Sequence, residues 1–134
     1  LAARTPHLRI ETRARNALAT RWPDGDGRYN IHGAIVPGAG ALAFGPHTSR
    51  LLRAAQASGV AAKLSRDAGS YLCNYLGWRA LEAVRAGGGP RLAAFVHVPR
   101  VAPGPMTATE LAAAGAALLL QIAALAKAPP ARRE

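Results

Sequence analysis

Helical and strand-like patterns alternate over most of the chain, and this order restricts the folds that it can form. The helical segments repeat apolar side chains near the helical period, and the strand-like segments are short, largely apolar runs. In chain order they are a helix over 47–58, a strand over 60–65, a helix over 71–86, a strand over 92–98 and a helix over 107–127. This alternation predicts an α/β fold with a mostly parallel sheet.

The residues before the first helix are less regular. Residues 7–14 (HLRIETRA) alternate between apolar and charged side chains, which predicts a strand with Glu11 on its charged face. Residues 22–27 (WPDGDG) are typical of a turn, and residues 33–46 form a long connection rich in Gly and Pro. A chain of this length has room for one core, so we predict a single domain over residues 1–134.

The positive charge raises the question of a nucleic-acid partner. The chain carries 17 Lys and Arg against 7 Asp and Glu, a formal net charge of +10, which would attract polyanions. The basic residues are scattered from Arg4 to Arg133 without a dense run, and no nucleic-acid-binding motif accompanies them. We therefore expect no nucleic-acid partner, and we interpret the arginines as an ordinary charged surface.

Cysteine usage and the N-terminal pattern favour the cytoplasm. Cys73 is the only cysteine, so an internal disulfide cannot form. The residues after Leu1 lack the basic, apolar and small-residue order of a signal peptide. Because Leu1 is not an initiator Met, we also expect the sequence to be part of a longer or processed protein.

The last helical segment is the most apolar part of the chain. Thr107 and Glu110 form a capping-box pattern at its start, and its apolar core, residues 111–126, is interrupted by Gln121. A membrane-spanning helix needs about 20 strongly apolar residues. We therefore predict that this helix covers one face of a sheet, and we expect no membrane partner.

Cys73 occupies a position where α/β folds collect reactive groups. It follows the predicted strand over 60–65 and the Asp-Ala-Gly-Ser turn over 67–70, and it lies in the first turn of the predicted helix over 71–86. The unpaired amides of a helix start favour the thiolate, which is the nucleophilic form of cysteine. The alternative is a buried structural thiol, the commoner fate of a lone cysteine.

His97 is the strongest candidate for a base that would act with this thiol. Of the 4 histidines, it alone lies inside an apolar strand. We expect that strand to run beside the one that leads into the cysteine helix, which would bring the imidazole within reach of Cys73. A core histidine bonded to a backbone carbonyl is the alternative. A carboxylate usually holds such an imidazole, and Glu11 is the best candidate because the aspartates resemble turn residues.

No spacing of Cys, His and acidic residues resembles a metal site, and we expect neither a metal nor another cofactor.

At these residues the sequence resembles the pyroglutamyl peptidase I family, also called pyrrolidone carboxyl peptidases. The matching blocks are ETRARN (11–16), WPDGDG (22–27), SRDAGSYLCN (65–74) and FVHVP (95–99). The spacings from Glu11 to Cys73 and from Cys73 to His97 also fit the family. The likeness covers essentially the whole chain. It implies a three-layer α/β/α sandwich with a mostly parallel mixed sheet, represented here by its C-terminal part.

The resemblance also implies an activity, that of a cysteine peptidase that removes N-terminal pyroglutamyl residues from peptides through a thioester intermediate. Cys73 would be the nucleophile, His97 the general base and then the general acid, and Glu11 the residue that orients His97. The implied partner is a peptide that begins with pyroglutamate.

Four further residues are implied to bind that substrate. Arg21 matches an arginine near the active site of many bacterial members. Trp22, Tyr71 and Leu72 would form an apolar wall against the lactam ring.

Two departures from the family pattern support a second hypothesis. The strand and the Gly- and Phe-rich loop that precede the glutamate-bearing strand in the family are absent from this sequence, and Arg15 replaces a residue that is usually aliphatic or small. The alternative to a peptidase is therefore a truncated, non-catalytic homologue. Such a chain would act by association, either as a homo-oligomer or with another protein.

Overall fold

The computed structural model describes residues 5–101 and 105–127 and alternates strands and helices. The elements are β1 (Leu8–Glu11), β2 (Arg13–Ala14), β3 (Leu42–Ala43), α1 (His47–Ala57), β4 (Ala62–Ser65), α2 (Leu72–Ala86), β5 (Val96–His97) and α3 (Ala108–Lys127). Each predicted helix is confirmed to within one or two residues at either end. The predicted capping box is also present, because the Thr107 amide donates to Glu110 Oε2 at 2.7 Å and the Glu110 amide donates to Thr107 Oγ1 at 3.2 Å.

The main sheet is mixed and has the strand order β4-β1-β5. The amides of Leu8 and Thr12 donate to the carbonyls of Ala61 and Ser65, a step of four residues in the same direction along each strand, so this pairing is parallel. β5 pairs with β1 antiparallel, with Ile10 opposite Val96. Helices accompany a mixed sheet, as the α/β prediction requires.

Three details of the strand predictions are wrong. The apolar run over 92–98 forms a strand only at Val96–His97, and that strand is antiparallel to its neighbour. β1 lies between β4 and β5, so the strand of His97 does not run beside the strand that leads into the cysteine helix. The connection over 33–46 contains β3, which pairs antiparallel with β2. β2, β3 and β5 are only two residues long, too short for a periodic pattern to appear.

The contacts divide the chain into two compact units. The first comprises the described residues of 1–10, 46–64 and 96–134, and the second comprises residues 11–45 and 65–95. No observation tests the single domain predicted over residues 1–134, which stays a prediction.

In the first unit, α1 packs against α3. α1 buries Leu51 and Ala55, and α3 buries Ala114 and Leu118, so each helix presents residues four apart along one face. Within the described residues, α3 is also the one helix that is long and apolar enough to cross a membrane by length and composition alone, with a mean hydropathy of 1.7. The predicted absence of a membrane partner stays a prediction.

In the second unit, the face of α2 that carries Trp78 and Leu81 packs on the small sheet of β2 and β3. The core comprises Ala14, Leu42, Phe44, Trp78 and Leu81, with Ile35, Ala93 and Phe95 at its margin. α2 packs closely at Gly77. A Cβ atom at this position would stand only 3.2 Å from Phe44 Cζ. α2 is thereby fixed on the unit that also carries the Asp-Ala-Gly-Ser turn.

Candidate active site

The turn before α2 is fixed by the side chain of Asp67. Its Oδ1 accepts the Gly69 amide at 2.9 Å, and both of its oxygens lie 2.9 Å from Arg15 Nη1. Gly69 has a φ of +85°, a conformation that residues other than glycine rarely adopt. Asp67 is therefore a turn residue, as predicted, and α2 begins directly after this turn.

The Asp67 carboxyl also reports the electrostatics of the turn. Burial acts to raise its pKa, but the hydrogen bonds from Gly69 and Arg15, together with the positive charges of Arg15 and Arg13, outweigh burial and lower the pKa below its ordinary value. The turn is therefore held by hydrogen bonds to a charged carboxylate, with Arg15 and Arg13 as the nearby positive charges.

Cys73 is the second residue of α2, in the first turn as predicted, and its thiol is free and half-buried. Within the described residues, the N-cap residue Tyr71 makes no side-chain hydrogen bond to this turn, and no acidic residue lies in the turn. Tyr71 instead donates its hydroxyl to the Pro23 carbonyl at 3.2 Å. The positive end of the helix dipole therefore acts on Cys73 without a competing negative charge in the same turn.

Glu11 ends β1 and is fully buried, with 0% of its surface exposed. Its amide donates to the Phe95 carbonyl at 2.9 Å. The alternation in the sequence predicts that Glu11 lies on the charged face of the strand, but in the structure this residue is buried. Burying a carboxylate is costly, so this residue needs a structural or a chemical reason to be present.

His97 is also buried, with 7% of its surface exposed. It lies in β5 opposite Arg9 of β1, and Arg9 Nη2 lies 3.4 Å from His97 Nδ1. This contact is long for a hydrogen bond. The imidazole of His97 therefore lies beside a positively charged side chain.

The second unit contains a pocket of about 370 Å³ beside the start of α2. Its lining residues are Leu18, Ala19, Trp22, Asp24, Arg28, Tyr29, Asn30, Tyr71, Leu72 and Tyr75. Trp22, Tyr71 and Leu72, which were predicted to form one wall, thus line the same pocket. Arg21 is exposed and is not among the lining residues.

Apart from the N-cap residue Tyr71, the lining residues that precede α2 come from one loop, residues 18–33, which we call the pocket loop. It is closed at its base by the Leu18 amide, which donates to the Gly33 carbonyl at 3.0 Å. At its tip, Asp24 Oδ1 accepts the amides of Asp26 and Arg28 at 3.0 and 2.8 Å. Local hydrogen bonds therefore give the loop a defined shape before any ligand is present.

Two asparagines that were not singled out in the sequence organise the chain around the pocket. Asn74 is fully buried and bonds the backbone of Arg15 and Ala17. Asn16 bonds the backbone of the connection that follows the pocket loop, including the amides of Ile35 and Val36. Each asparagine ends one of the matching sequence blocks, ETRARN and SRDAGSYLCN, and this position was the only signal that could have identified it.

Comparisons with known proteins relate the chain to a family of peptidases. The family model for pyroglutamyl peptidase matches residues 3–129. The pyrrolidone-carboxylate peptidase of Pyrococcus furiosus is 34% identical over 95 residues, which cover 70% of this chain and 46% of that protein. That of Thermococcus litoralis is 32% identical over 100 residues, 74% of this chain and 46% of the relative.

Solved structures give the same result for the fold. A mutant pyrrolidone carboxyl peptidase from P. furiosus superposes with a TM-score of 0.81 at 26% identity, over 92% of this chain and 66% of that one. The T. litoralis structure gives a TM-score of 0.74 at 25% identity, over 94% of this chain and 61% of its own. The α/β fold is thereby confirmed. The chain spans about half the length of the curated relatives that it matches.

Proposed function

The chain belongs to the pyroglutamyl peptidase family, and on this premise we propose that it is a cysteine peptidase that removes N-terminal pyroglutamyl residues from peptides. The resemblance seen in the sequence blocks is thus confirmed at the level of the family. One observation carries the proposal beyond the family. Cys73 lies in the first turn of α2, and its neighbours Tyr71 and Leu72 line a pocket together with Trp22.

In the proposed reaction, His97 takes the proton of the Cys73 thiol. The thiolate then attacks the carbonyl carbon of the peptide bond that joins the pyroglutamyl residue to the rest of the substrate. The tetrahedral oxyanion collapses, the carbon–nitrogen bond breaks, and the imidazolium gives its proton to the leaving amine. Water then hydrolyses the thioester, with His97 again as the base, which releases pyroglutamate and restores the thiol. Glu11 orients the imidazole and stabilises its charged form.

The backbone amides at the start of α2 are the proposed donors to the oxyanion. A helix start carries amides without intrahelical partners, and these can bind developing negative charge. Cys73 belongs to this turn, so its own amide is one of the candidates.

The pocket is the proposed site for the lactam ring. Its volume of about 370 Å³ is near the lower end of the range of about 300–1,000 Å³ for small-molecule sites, which suits a small, rigid ring. Trp22, Tyr71 and Leu72 offer apolar surface to the ring, while Asn30 and Arg28 offer polar groups. We include Arg21 among the proposed substrate-binding residues only as a contact to the peptide outside the pocket.

We propose the cytoplasm as the compartment, because a reducing environment keeps a free thiol such as that of Cys73 in its reduced form. The proposed partner is a peptide with an N-terminal pyroglutamyl residue.

The decisive experiment measures release of a fluorescent amine from a pyroglutamyl amide by the parent chain and by Cys73→Ser. We expect activity in the parent and a loss of roughly 10³-fold or more in the variant, because serine is a far weaker nucleophile without an adapted base. Circular dichroism shows whether the variant has kept its fold. Parental activity in a folded Cys73→Ser protein would overturn the proposal.

A non-catalytic association module is the second candidate function, favoured by an exposed apolar surface on α3. Leu119 and Leu120 are 67% and 73% exposed, although isolated leucines at a surface are common. Sedimentation of the parent and of a Leu119→Gln, Leu120→Gln double variant tests it. An inactive parent that self-associates, with a monomeric double variant, would favour this function, whereas a monomeric parent would contradict self-association.

A further inference from the structure

We propose that Asn74 is a positioning residue that holds the pocket loop in register with the helix turn that carries Cys73. The inference rests on the proposed function. It assigns a task to a buried amide that neither binds the lactam nor takes part in the chemistry.

The hydrogen bonds of Asn74 define its orientation. Oδ1 accepts the Arg15 amide at 2.8 Å, and Nδ2 donates to the carbonyls of Arg15 and Ala17 at 2.8 and 2.9 Å. A flipped side-chain amide would place its oxygen against two carbonyl oxygens, so only one orientation satisfies all three contacts. Three bonds inside a fully buried site leave this side chain little freedom.

These bonds join α2 to the chain segment that leads into the pocket loop. On the helix side, Leu72 and Tyr75 lie close to Asn74 in α2, and both line the pocket. On the loop side, Ala17 is followed directly by Leu18 and Ala19, which also line it. Asn74 thus connects the segment that enters the pocket loop with the turn that contains the thiol.

Precise placement matters because the reaction needs the substrate carbonyl within a few tenths of an ångström of its attack position. A misplacement of about 1 Å can lower a reaction rate by about 100-fold. Without Asn74, the pocket can still form, because its loop is closed by the bond from Leu18 to Gly33. The loop would then no longer be held to α2 by this side chain.

Asn16 provides a matched control. It too is an asparagine that makes several bonds to backbone, with Oδ1 accepting the amides of Ile35 and Val36 at 2.8 and 2.9 Å and Nδ2 donating to the Ala39 carbonyl at 2.8 Å. These partners all lie in the connection after the pocket loop, so the side-chain bonds of Asn16 do not join the loop to α2. Asn16→Ala should therefore reduce stability without changing how the pocket faces the thiol.

The test compares two alkylating probes on the parent, Asn74→Ala and Asn16→Ala. Iodoacetamide reports the reactivity of the Cys73 thiol alone, whereas a pyroglutamyl chloromethyl ketone also requires a pocket aligned with that thiol. We expect the parent to prefer the pyroglutamyl reagent. Asn74→Ala should reduce this preference by about 10- to 100-fold with little change in the iodoacetamide rate, while Asn16→Ala changes the preference by less than about 3-fold. An Asn74→Ala protein that keeps the parental preference would overturn the inference.

Hydrogen exchange supplies a readout that does not depend on the reaction. In Asn74→Ala the Arg15 amide should exchange at least about tenfold faster than in the parent, because it has lost its acceptor, Asn74 Oδ1. Unchanged exchange at Arg15 would contradict the inference. A parent without any preference for the pyroglutamyl reagent would instead contradict the proposed function, so the two failures are distinguishable. If Asn74→Ala does not fold, Asn74→Ser replaces it, since a hydroxyl can keep one of the bonds.

Discussion

Buried polar side chains are the positions at which substitution should affect this protein most. Glu11, Thr48, Asn74 and His97 are the buried polar residues among those described. A buried polar group needs partners that compensate for lost water, which makes such positions sensitive to substitution. Two of the four are proposed members of the catalytic triad, and a third follows the nucleophile in the sequence. Conservative substitutions at these residues should therefore affect function more than most surface changes.

Replacing Glu11 by glutamine tests its proposed role at His97. Glutamine keeps the shape of the side chain but cannot stabilise an imidazolium by charge, so we expect kcat to fall by roughly 10²- to 10⁴-fold. The pH–rate profile of the variant should also change, whereas a purely structural role would leave the shape of that profile intact. A Glu11→Gln protein with the parental kcat would contradict the triad.

Trp22→Ala and Arg21→Ala compare how much a pocket residue and its neighbour in the sequence each contribute to substrate binding. Trp22 lines the pocket, and Arg21 does not. Trp22 is 60% exposed in the structure, so its ring is available to be covered by the lactam. We expect Trp22→Ala to raise KM for a pyroglutamyl amide by about 10-fold, since an aromatic side chain that a ligand covers commonly contributes over 1 kcal/mol to binding. Arg21→Ala should change KM by less than about 3-fold on a substrate without a following peptide. A larger effect at Arg21 than at Trp22 would contradict the assignment of the pocket.

The lowered pKa of Asp67 predicts how the free energy of unfolding depends on pH. Because the folded-state pKa of Asp67 lies below its ordinary value of 3.8, its stabilising effect is complete above that value and is lost as the pH falls through the lower folded pKa. The free energy of unfolding of the parent should thus exceed that of Asp67→Asn at pH 6, by less than about 1 kcal/mol since the pair is exposed. The difference should shrink as the pH falls below 3.8 and should vanish once the pH lies below the folded pKa. A difference that grows on acidification would contradict this account.

Helix packing in both units depends on small side chains at the contacts. α3 buries Ala114 on the face that meets α1, and α2 carries Gly77 beside Phe44. Small residues allow two elements to approach closely, but they leave no room for an added methyl group. The two helical glycines, Gly77 and Gly115, therefore differ in what an alanine would meet.

Gly77→Ala and Gly115→Ala form a matched pair for unfolding measurements. A Cβ at Gly115 has nothing within 4 Å, so alanine should raise the free energy of unfolding by about 0.5–1 kcal/mol through helix propensity. At Gly77 the added carbon lies 3.2 Å from a buried ring, and the crowding should cancel or exceed that gain, since overpacking costs about 1–3 kcal/mol. Equal stabilisation by both variants would contradict the close packing of α2 on Phe44.

The helices were predictable from the sequence because each repeats its apolar residues over several turns. α1, α2 and α3 span 11, 15 and 20 residues, long enough for the period to appear. β3 and β5 have only two residues each and depend on their pairing partners. The position of β1 between β4 and β5 is likewise a tertiary property, so the expected adjacency of the strands was wrong.

The candidate site was predictable only in part, for a related reason. Cys73, His97 and Glu11 belong to residue types that commonly act as nucleophile, base or acid, so the sequence alone identifies them as candidates. Asn74 resembles an ordinary polar residue near a helix start, and only its three backbone partners, distant in the sequence, reveal its role. The pocket residues Tyr29 and Tyr75 were not predicted, because they are distant in the sequence and only the fold brings them to the same pocket.

The whole molecule combines a family fold with partial coverage of its relatives. The family model matches nearly all of the chain, whereas the chain spans 46% of the P. furiosus relative. Activity therefore has to be measured on this chain and cannot be transferred from those proteins. The strong positive charge of +10 should affect how substrates approach, and its influence should weaken as salt rises.

The central claim is that Cys73 accepts the pyroglutamyl group, and rapid acid quenching during turnover followed by mass spectrometry tests it most directly. We predict that the quenched parent carries one pyroglutamyl group, bound as a thioester to Cys73 and removed by hydroxylamine. Folded Cys73→Ala should carry none. The claim would be contradicted if the parent cleaved the substrate without this adduct, or with the group on another residue, while Cys73→Ala cleaved it equally fast.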